Sequence, residues 1–458
     1  MKLKLWLQKL QKSSWIFIVA LAVGVLLRIW FVFFKDLNID QATTLGFIQH
    51  DWWGSIWWDN SPPLLYILGK TIKQLCGADL QSTLVVLKII IFTLSTISLY
   101  LTVNLIRSKW PTEWLWIFGL CVFPVALVDT TVIRPTFLTE FFAIVNFVIF
   151  LRICNNQRRI GYLVVFAISS FGLLASSYLG ALYFAGLLFY YLYLNQFKIL
   201  KPSEFLQKNN RYTAIVFANA FVSLVVGVIL FFEIRWENLS WIGGDTKIID
   251  SIISSFFWAR NLMGYNWLAL VFFVFGVAYT RRWILFLPIV FLLFINLFTG
   301  RVAEEPRFVI FFWPLFFYWI IELDLALPRV KWYVFFKYLV VLVWVWQTAW
   351  FFKEPRSSLS LAQAYIQESQ VDSVVVEISR SALDYAFQGL PQLSWEELKQ
   401  KACPHKSALV SPQHRPQYDR EKHFQVAKEF GFTVDSEKVF LSKLESIEVL
   451  IFKRSCPP

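Results

Sequence analysis

The apolar run WIFIVALAVGVLLRIWFVFF, from Trp15 to Phe34, decides the class of this protein, together with NIDQATTLGFIQHDWWGSIWWDNSPPLLY, which follows from Asn38 to Tyr66. The first run is long enough for a helix to cross the hydrocarbon core of a bilayer, which takes about 20 residues. The second stretch carries four tryptophans, three aspartates and a Pro-Pro pair. Because tryptophan is enriched where a membrane meets water, the two stretches predict a membrane span followed by a segment at the membrane surface.

The composition extends this prediction to the whole chain. Of its 458 residues, 57% are hydrophobic and 16% are charged, whereas an average soluble protein has about 25% charged residues. The net charge is +12, but the basic residues stand in short stretches between apolar runs, as in the cytoplasmic loops of membrane proteins. The pattern predicts an α-helical polytopic membrane protein. It argues against nucleic-acid binding, since no basic patch forms a contiguous soluble domain.

Long apolar runs recur along the chain, and we place about eleven spans by the length that a crossing helix requires. They lie at 15–34, 84–106, 112–128, 136–152, 160–176, 178–195, 212–233, 265–280, 283–299, 308–326 and 332–352. Lysine and arginine concentrate in every second loop, and those loops hold almost no acids. Because such loops face the cytoplasm, we predict a multi-pass protein of the plasma membrane with a cytoplasmic N-terminus.

The segment PPLLYILGKTIKQL, at 62–75, is apolar but short for a span. If it crossed the membrane, every later loop would change sides and the charge pattern would be reversed. We therefore predict that it lies along the outer surface. There Lys70 and Lys73 are expected to extend their ammonium groups toward the lipid headgroups.

After Phe352 the composition becomes polar, which predicts a domain boundary. DSVVVEI and IEVLIFKR have the pattern of strands, and REKHFQVAKEF has the spacing of a helix. We expect a transmembrane domain at 1–352, with an outer-face loop at 35–83, and a small α/β domain at 353–458. An odd number of spans places that domain outside the cytoplasm.

Polar side chains that loop solvation does not explain lie on the predicted outer side. In the loops they are Asp40, His50, Asp51, Asp59, Arg134, Arg301, Glu304, Glu305 and Arg307. Arg28, Lys88 and Glu140 fall in the outer halves of spans, where an ionised group is costly unless it is paired or hydrated. Two interpretations are open: these charges line a polar cavity that opens outward, or they pair with one another as structural contacts.

The first outer loop also has a structural interpretation. Asp40 has the residue type of an N-cap for a helix that begins at Gln41. The tryptophans of the loop have the spacing of a helix in the headgroup layer. They are Trp52, Trp53, Trp57 and Trp58. These features describe a loop at the interface and leave a chemical role for Asp40 open.

Four motifs follow one another along the chain. They are IDQAT at 39–43, DNSPPLLYIL at 59–68, TVIRPTFL at 131–138 and EEPRFVIFFWPL at 304–315. Their order and predicted sidedness resemble the GT-C membrane glycosyltransferases, specifically the protein O-mannosyltransferase and lipid A aminoarabinose transferase group. That group has an Asp-Glu pair, a HPPLYYLL-type segment, an ExRPY-type turn and an Arg-Tyr segment at the corresponding places. The tail AQAYIQESQVDSVVVEIS also resembles the helix and first strand of the group's periplasmic domain.

The resemblance implies a glycosyltransferase of the bacterial inner membrane that takes its sugar from a polyprenyl-phosphate donor. Asp40 is then the candidate catalytic base. The candidate ligands of the donor phosphate are Arg134, Arg301 and Arg307. The candidate acceptor loop holds His50, Asp51, Asp59, Pro62, Pro63 and Tyr66. Membrane lipid is an expected partner, and the acceptor is open between a glycan, a lipid and a protein.

The chain departs from the group's pattern at several positions. Gln41 replaces the second acid, Ser61 the histidine, Val132 the glutamate of the turn and Thr136 its tyrosine. A divalent metal ion prefers several oxygen ligands, and Asp40 alone is a poor site for one. We therefore name no metal ligand and no cofactor, and metal dependence stays open.

Two further functions are open at this point. A transporter or flippase for a lipid-linked sugar predicts inverted repeats and charges near the membrane midplane. The sequence shows no convincing repeat, and its charges lie toward the outer half. A catalytically weakened assembly partner is the third alternative, because Gln41 and Val132 stand where the group has acids.

Overall fold

We describe the protein from a computed structural model. The described residues are 14–49, 63–77, 79–109, 113–128, 131–154, 159–177, 180–194, 211–235, 257, 259–261, 263–281, 312–327, 331–352, 357–375, 386–387, 389–400, 405–412, 420–429, 431–441 and 446–454. Each predicted span overlaps a helix within these residues except 283–299, which lies outside them.

The first part of the chain is helical. In chain order the helices are α1 (Ser14–Ile29, continued by a π-helical turn at Trp30–Phe34), α2 (Ile39–Gln49), α3 (Leu64–Leu75), α4 (Leu80–Lys109), α5 (Trp114–Cys121), α6 (Pro124–Val128), α7 (Thr136–Cys154), α8 (Ile160–Ser176), α9 (Ala181–Leu194), α10 (Arg211–Arg235), α11 (Trp267–Thr280), α12 (Trp313–Ala326) and α13 (Lys331–Phe352). The rest of the chain mixes helices and strands. These are α14 (Ser358–Glu368), β1 (Ser373–Val375), β2 (Gln392–Leu393), α15 (Trp395–Lys399), β3 (His405–Pro412), α16 (Arg420–Glu429), β4 (Thr433–Leu441) and β5 (Ser446–Arg454).

Several helices have the length and composition of membrane spans. Within the described ranges, four stretches are long and apolar enough to cross a bilayer: Trp15–Phe34, Leu80–Ser108, Thr136–Cys154 and Val334–Phe352. Shorter apolar helices lie at Trp114–Val128, Ile160–Ser176, Ala214–Ile229 and Trp267–Thr280. The protein is therefore a helical membrane protein, as the composition predicts.

The chain divides into two compact units. One, which we call the helical unit, comprises Met1–Val32, Ile56–Ile67 and Lys88–Ala349. The other, which we call the α/β unit, comprises Phe33–Ser55, Leu68–Leu87 and Trp350–Pro458. The α/β unit thus contains α2 as well as the C-terminal sheet.

Contacts inside the helical unit establish the relative directions of its helices. Lys337, near the start of α13, forms an ion pair with Glu113, which precedes α5. Thr348, near the end of α13, donates to the carbonyl of Val122 at the end of α5, at 2.7 Å. The two helices therefore run in the same direction, as the predicted topology requires. The side of the membrane on which each end lies stays a prediction.

Helices α1 and α4 run in opposite directions. Arg107, near the end of α4, lies 4.5 Å from the ring centroid of Phe17, near the start of α1. Arg28, at the other end of α1, donates to the carbonyl of Ser95. This agrees with the prediction that the first and second spans cross the membrane in opposite directions.

The core of the helical unit is aromatic and tightly packed around Trp344. The ring centroids of Trp344 and Phe123 lie 5.2 Å apart, and the indole nitrogen of Trp344 donates to the carbonyl of Met263 at 2.8 Å. Gly264 follows with a φ of +72°. A Cβ on Gly264 would lie 2.6 Å from Trp344 Nε1 and 2.8 Å from Phe123 Cε2. Only glycine fits this turn without displacing the tryptophan.

We expect Gly264→Ala to destabilise the protein by about 1 to 3 kcal/mol more than Gly77→Ala, the usual range for overpacking a core. Gly77 has a similar φ of +68° but no atom within 4 Å of an added Cβ. Both variants therefore carry the strain of a left-handed alanine, and only Gly264→Ala also displaces Trp344. Thermal unfolding followed by circular dichroism in detergent measures the difference. Equal losses in the two variants would show that crowding at Trp344 has no effect.

The α/β unit is built on a five-stranded sheet in the order β2-β1-β3-β5-β4. β1 pairs in parallel with β2 and β3, and β5 pairs antiparallel with β3 and β4. One face of the sheet packs against α14, through Leu359, Ala362 and Ile366. The other packs against α15 and α16, through Leu398 and Ala427. The predicted strand IEVLIFKR is β5, the predicted helix is α16, and DSVVVEI contains β1.

Candidate functional site

The first turn of α2 holds the candidate base, Asp40. Asn38 Oδ1 accepts a hydrogen bond from Gln41 N, and Gln41 Oε1 accepts one from Asn38 N, both at 2.9 Å. This reciprocal pair is a capping box, and the amide of Ala42 donates to the carbonyl of Asn38. The interpretation of Asp40 as the N-cap is therefore wrong. Asn38 is the N-cap, and Asp40 is the second residue of the helix.

Gln41 has a structural role that explains its place in the motif. It stands at the third helical position, where Glu or Gln completes a capping box, and it is 6% exposed. A glutamate could make the same bond but would add a charge. The bond from Asn38 N uses one of the two lone pairs of Gln41 Oε1. Within the described ranges, no group of three His, Cys, Asp or Glu residues could hold a metal ion.

Helix α2 packs closely against α3 within the α/β unit. A Cβ on Gly69 would lie 2.4 Å from Ile48 Cδ1, so the two helices approach at a glycine. Lys73 Nζ donates to the carbonyl of Gln49 at 2.6 Å, at the end of α2, and Lys70 is buried, with 5% exposure. The prediction that Lys70 extends to the headgroups is therefore wrong, because Lys70 lies inside the unit. Lys73 is half-buried, and its hydrogen bond supports the end of α2.

Arg28 and Glu140 are both buried inside the helical unit. Arg28 is buried, and its guanidinium donates to the carbonyls of Ser95 and Gly24 at 3.2 and 3.1 Å. Glu140 is also buried and accepts from Trp313 Nε1 at 3.1 Å. The two opposite charges attract each other electrostatically. The third predicted cavity charge, Lys88, is half-buried on α4.

Arg134 is half-buried in the turn that leads into α7. Its backbone amide donates to the carbonyl of Val132 at 2.8 Å, and Pro135 accepts from the amide of Thr139 as the helix begins. Glu140 follows in the second turn of the same helix. The turn at Arg134 is the one predicted to face outward. It lies at the same end of the helical unit as the charges of Arg28 and Glu140.

Arg260 is a candidate that the sequence motifs do not include. Its Nε and Nη2 donate to Asn261 Oδ1 at 3.0 and 2.6 Å. Its guanidinium carbon lies 5.2 and 5.4 Å from the ring centroids of Phe257 and Trp267. Partial burial lowers the pKa of Arg260, while the nearby Tyr265 acts in the opposite direction, but arginine stays protonated in proteins.

Arg260 therefore carries an oriented positive charge. In the part of the chain that the structure describes, no carboxylate pairs with it. Nη1 and one N–H of Nη2 make no hydrogen bond there, and this guanidinium edge suits an anion. The sequence signal was an arginine among aromatic residues, in FFWAR at 256–260.

Several predicted site residues lie outside the described residues. They are His50, Asp51, Asp59, Pro62, Arg301 and Arg307, together with the loop tryptophans Trp52, Trp53, Trp57 and Trp58. Of the remaining loop candidates, Pro63 is half-buried before α3, and Tyr66 is buried on it, with 1% exposure.

A serine, a histidine and an aspartate also meet on the C-terminal sheet. Ser373 Oγ lies 2.9 Å from His405 Nε2, and His405 Nδ1 lies 3.8 Å from Asp372 Oδ2. Ser373 also hydrogen-bonds Ser407 at 2.7 Å, and both serines are fully buried. A buried hydroxyl between two strands has no access to a substrate. The cluster therefore satisfies buried polar groups and is no nucleophilic centre.

The comparisons with known proteins bear on the fold. The structure is similar to the crystal structure of ArnT from Cupriavidus metallidurans in the apo state, with a TM-score of 0.50 and 10% sequence identity. The likeness covers 96% of this chain and 99% of the ArnT chain. No protein-family model matches the sequence, and no curated protein matches it. The fold is therefore that of an ArnT-like polytopic membrane protein over nearly the whole chain.

Proposed function

We propose that the protein is a GT-C glycosyltransferase that moves a sugar from a polyprenyl-phosphate donor to an acceptor at the outer face of the membrane. The observation that carries this proposal is the likeness to ArnT, a GT-C glycosyltransferase, along nearly the full length of both chains. The four motifs occur in the order that the resemblance requires. In this proposal Asp40 is the base, and the transmembrane and C-terminal domains are 1–352 and 353–458.

The reaction is a single displacement at the anomeric carbon. An acceptor hydroxyl or amine attacks that carbon, and the bond from the carbon to the phosphate oxygen breaks. The electron pair leaves with polyprenyl phosphate, and the acceptor's proton passes to the carboxylate of Asp40. Attack from the face opposite the leaving group inverts the anomeric centre. The leaving phosphate needs cations more than an acid, because negative charge grows on it as the bond breaks.

Arginines supply those cations in the proposal. Arg134, Arg301 and Arg307 bind the donor phosphate, and we add Arg260. Nη1 and one N–H of Nη2 of Arg260 make no hydrogen bond within the described residues, and this supports its inclusion. A guanidinium can bind two phosphate oxygens at once. Arg260 lies beside the adjacent rings of Phe257 and Trp267, and these contacts restrict its guanidinium.

We expect Arg260→Gln to raise the donor concentration for half-maximal rate about tenfold, the loss of about 1.4 kcal/mol of binding. Arg307→Ala is expected to act in the same direction. Arg281→Gln is the matched control, because Arg281 is an exposed arginine at the other end of α11. Steady-state rates against donor concentration measure the effect. An Arg260→Gln enzyme with the donor dependence of the Arg281→Gln enzyme would remove Arg260 from the site.

The proposed function is tested by reconstitution into liposomes with a polyprenyl-phosphate hexose labelled in the sugar. Lipid, glycan and peptide acceptors are supplied in separate reactions. We expect the label to appear covalently on one acceptor class. Movement of intact donor across the bilayer without transfer would support the flippase. The absence of both transfer and movement would support the assembly partner. Either result would overturn the proposal.

A further inference from the structure

The start of α2 is held from two directions, and one of them comes from the C-terminal part of the chain. The capping box of Asn38 and Gln41 holds it from within the helix. The residue before the box, Leu37, offers its carbonyl to Ser357 Oγ, which donates to it at 2.7 Å. Ser357 stands 320 residues away in sequence, and both belong to the α/β unit.

Ser357 makes a second contact with the same hydroxyl. It is the N-cap of α14, and its Oγ accepts from the amide of Ser360 at 3.1 Å. Ser357 Oγ also lies 3.2 Å from Ser360 Oγ. A serine hydroxyl has one proton, and the bond to the Leu37 carbonyl is the shorter of the two, so this hydroxyl begins α14 by accepting from Ser360 and holds Leu37 by donating. A serine or threonine hydroxyl can do both at once, whereas an ionised aspartate can only accept.

Packing supports the same connection. Ala42, in the first turns of α2, has no exposed surface. It belongs to the buried cluster that includes Leu359 and Ala362 of α14 and Ile447 of β5. The backbone that carries Asp40 is therefore set against α14 on one side of the C-terminal sheet.

We propose that Ser357 is a positioning residue for Asp40, so that the C-terminal α/β domain sets the place of the catalytic base. This inference rests on the proposed function, in which Asp40 takes a proton from the acceptor. Proton transfer requires hydrogen-bond distance, and a misplacement of about 1 Å can lower a rate about 100-fold. Loss of the bond to Leu37 frees the segment that leads into the first turn of α2. It should lower kcat without weakening donor binding.

The test separates the two contacts of Ser357. Ser357→Asp keeps an N-cap that accepts from Ser360 but cannot donate to Leu37. Ser357→Thr keeps both bonds. We expect Ser357→Asp to lower kcat about tenfold with an unchanged KM for the donor, and Ser357→Thr to restore most of kcat. Loss of the hydrogen bond to Leu37, and not loss of the N-cap of α14, is then the cause of the lower kcat.

Ser394→Ala is the matched control. Ser394 is the N-cap of α15 in the same unit, with a capping box to Glu397. Its loss weakens a cap without touching Leu37, so thermal stability should fall while kcat stays unchanged. A wild-type kcat in Ser357→Asp, with Asp40→Asn inactive, would overturn the positioning role alone. An active Asp40→Asn enzyme would overturn the proposed function instead.

Discussion

Asp40→Asn is expected to abolish sugar transfer while donor binding stays close to that of the wild type. Asparagine is nearly the same size as aspartate but cannot accept the acceptor's proton as a carboxylate does. A missing general base lowers rates by about 100- to 10,000-fold. The first turn of α2 should remain folded, because Asn38 and Gln41 form its capping box.

Transfer rates with a labelled donor, together with donor binding at equilibrium, test this expectation. Gln41→Glu is the control variant, since glutamate completes the same capping box and restores the acid found in the resembling group. It should remain folded and active. Normal turnover by Asp40→Asn would remove Asp40 from the mechanism, whatever the donor proves to be.

Lys337→Met is expected to destabilise the helical unit by about 3 to 5 kcal/mol, the cost of removing one partner from a buried ion pair. Lys337 forms ion pairs with Glu113 and, at 2.6 Å, with Asp324. Its ammonium lies 5.2 Å from the ring centroid of Trp116, whose indole also donates to Asp324. Methionine fills much of the volume but leaves two carboxylates without their cation.

The control for this variant is an exposed ion pair. Lys406 Nζ lies 2.9 Å from Asp435 Oδ2, and both side chains are partly solvated. Exposed pairs contribute about 0 to 1 kcal/mol, so Lys406→Met should have a small effect. Thermal unfolding in detergent compares the two. If Lys337→Met unfolds at the wild-type temperature, the cluster does not hold α5, α12 and α13 together.

The sequence predicts the helices of this fold well because membrane spans are determined by local composition. An apolar run such as Thr136–Cys154 is long enough on its own to be identified. The sequence predicts β5 for a similar reason, since Ile447 to Phe452 form a short, mostly apolar run, and all six residues are buried. β3 and β4 were missed. β4 is an edge strand with many exposed residues, so its sequence has little apolar alternation.

The site was harder to predict because its contacts join distant residues. The capping box is predictable from the sequence, since Asn38 and Gln41 have the required spacing. The burial of Lys70 is not predictable from the sequence, because it depends on how α2 packs on α3. The bond from Ser357 to Leu37 likewise has no signal in either local sequence. Arg260 stands out only when its aromatic neighbours and the absence of a described acidic partner are known.

The most direct test of the central claim uses a donor labelled differently in its sugar and in its polyprenyl chain. Purified protein in liposomes receives this donor and the acceptor class found by reconstitution. We predict that the sugar label moves to the acceptor while the chain label stays in the membrane as polyprenyl phosphate, and that Asp40→Asn stops this separation. Two labels that stay together on one molecule in the wild-type reaction would contradict glycosyl transfer.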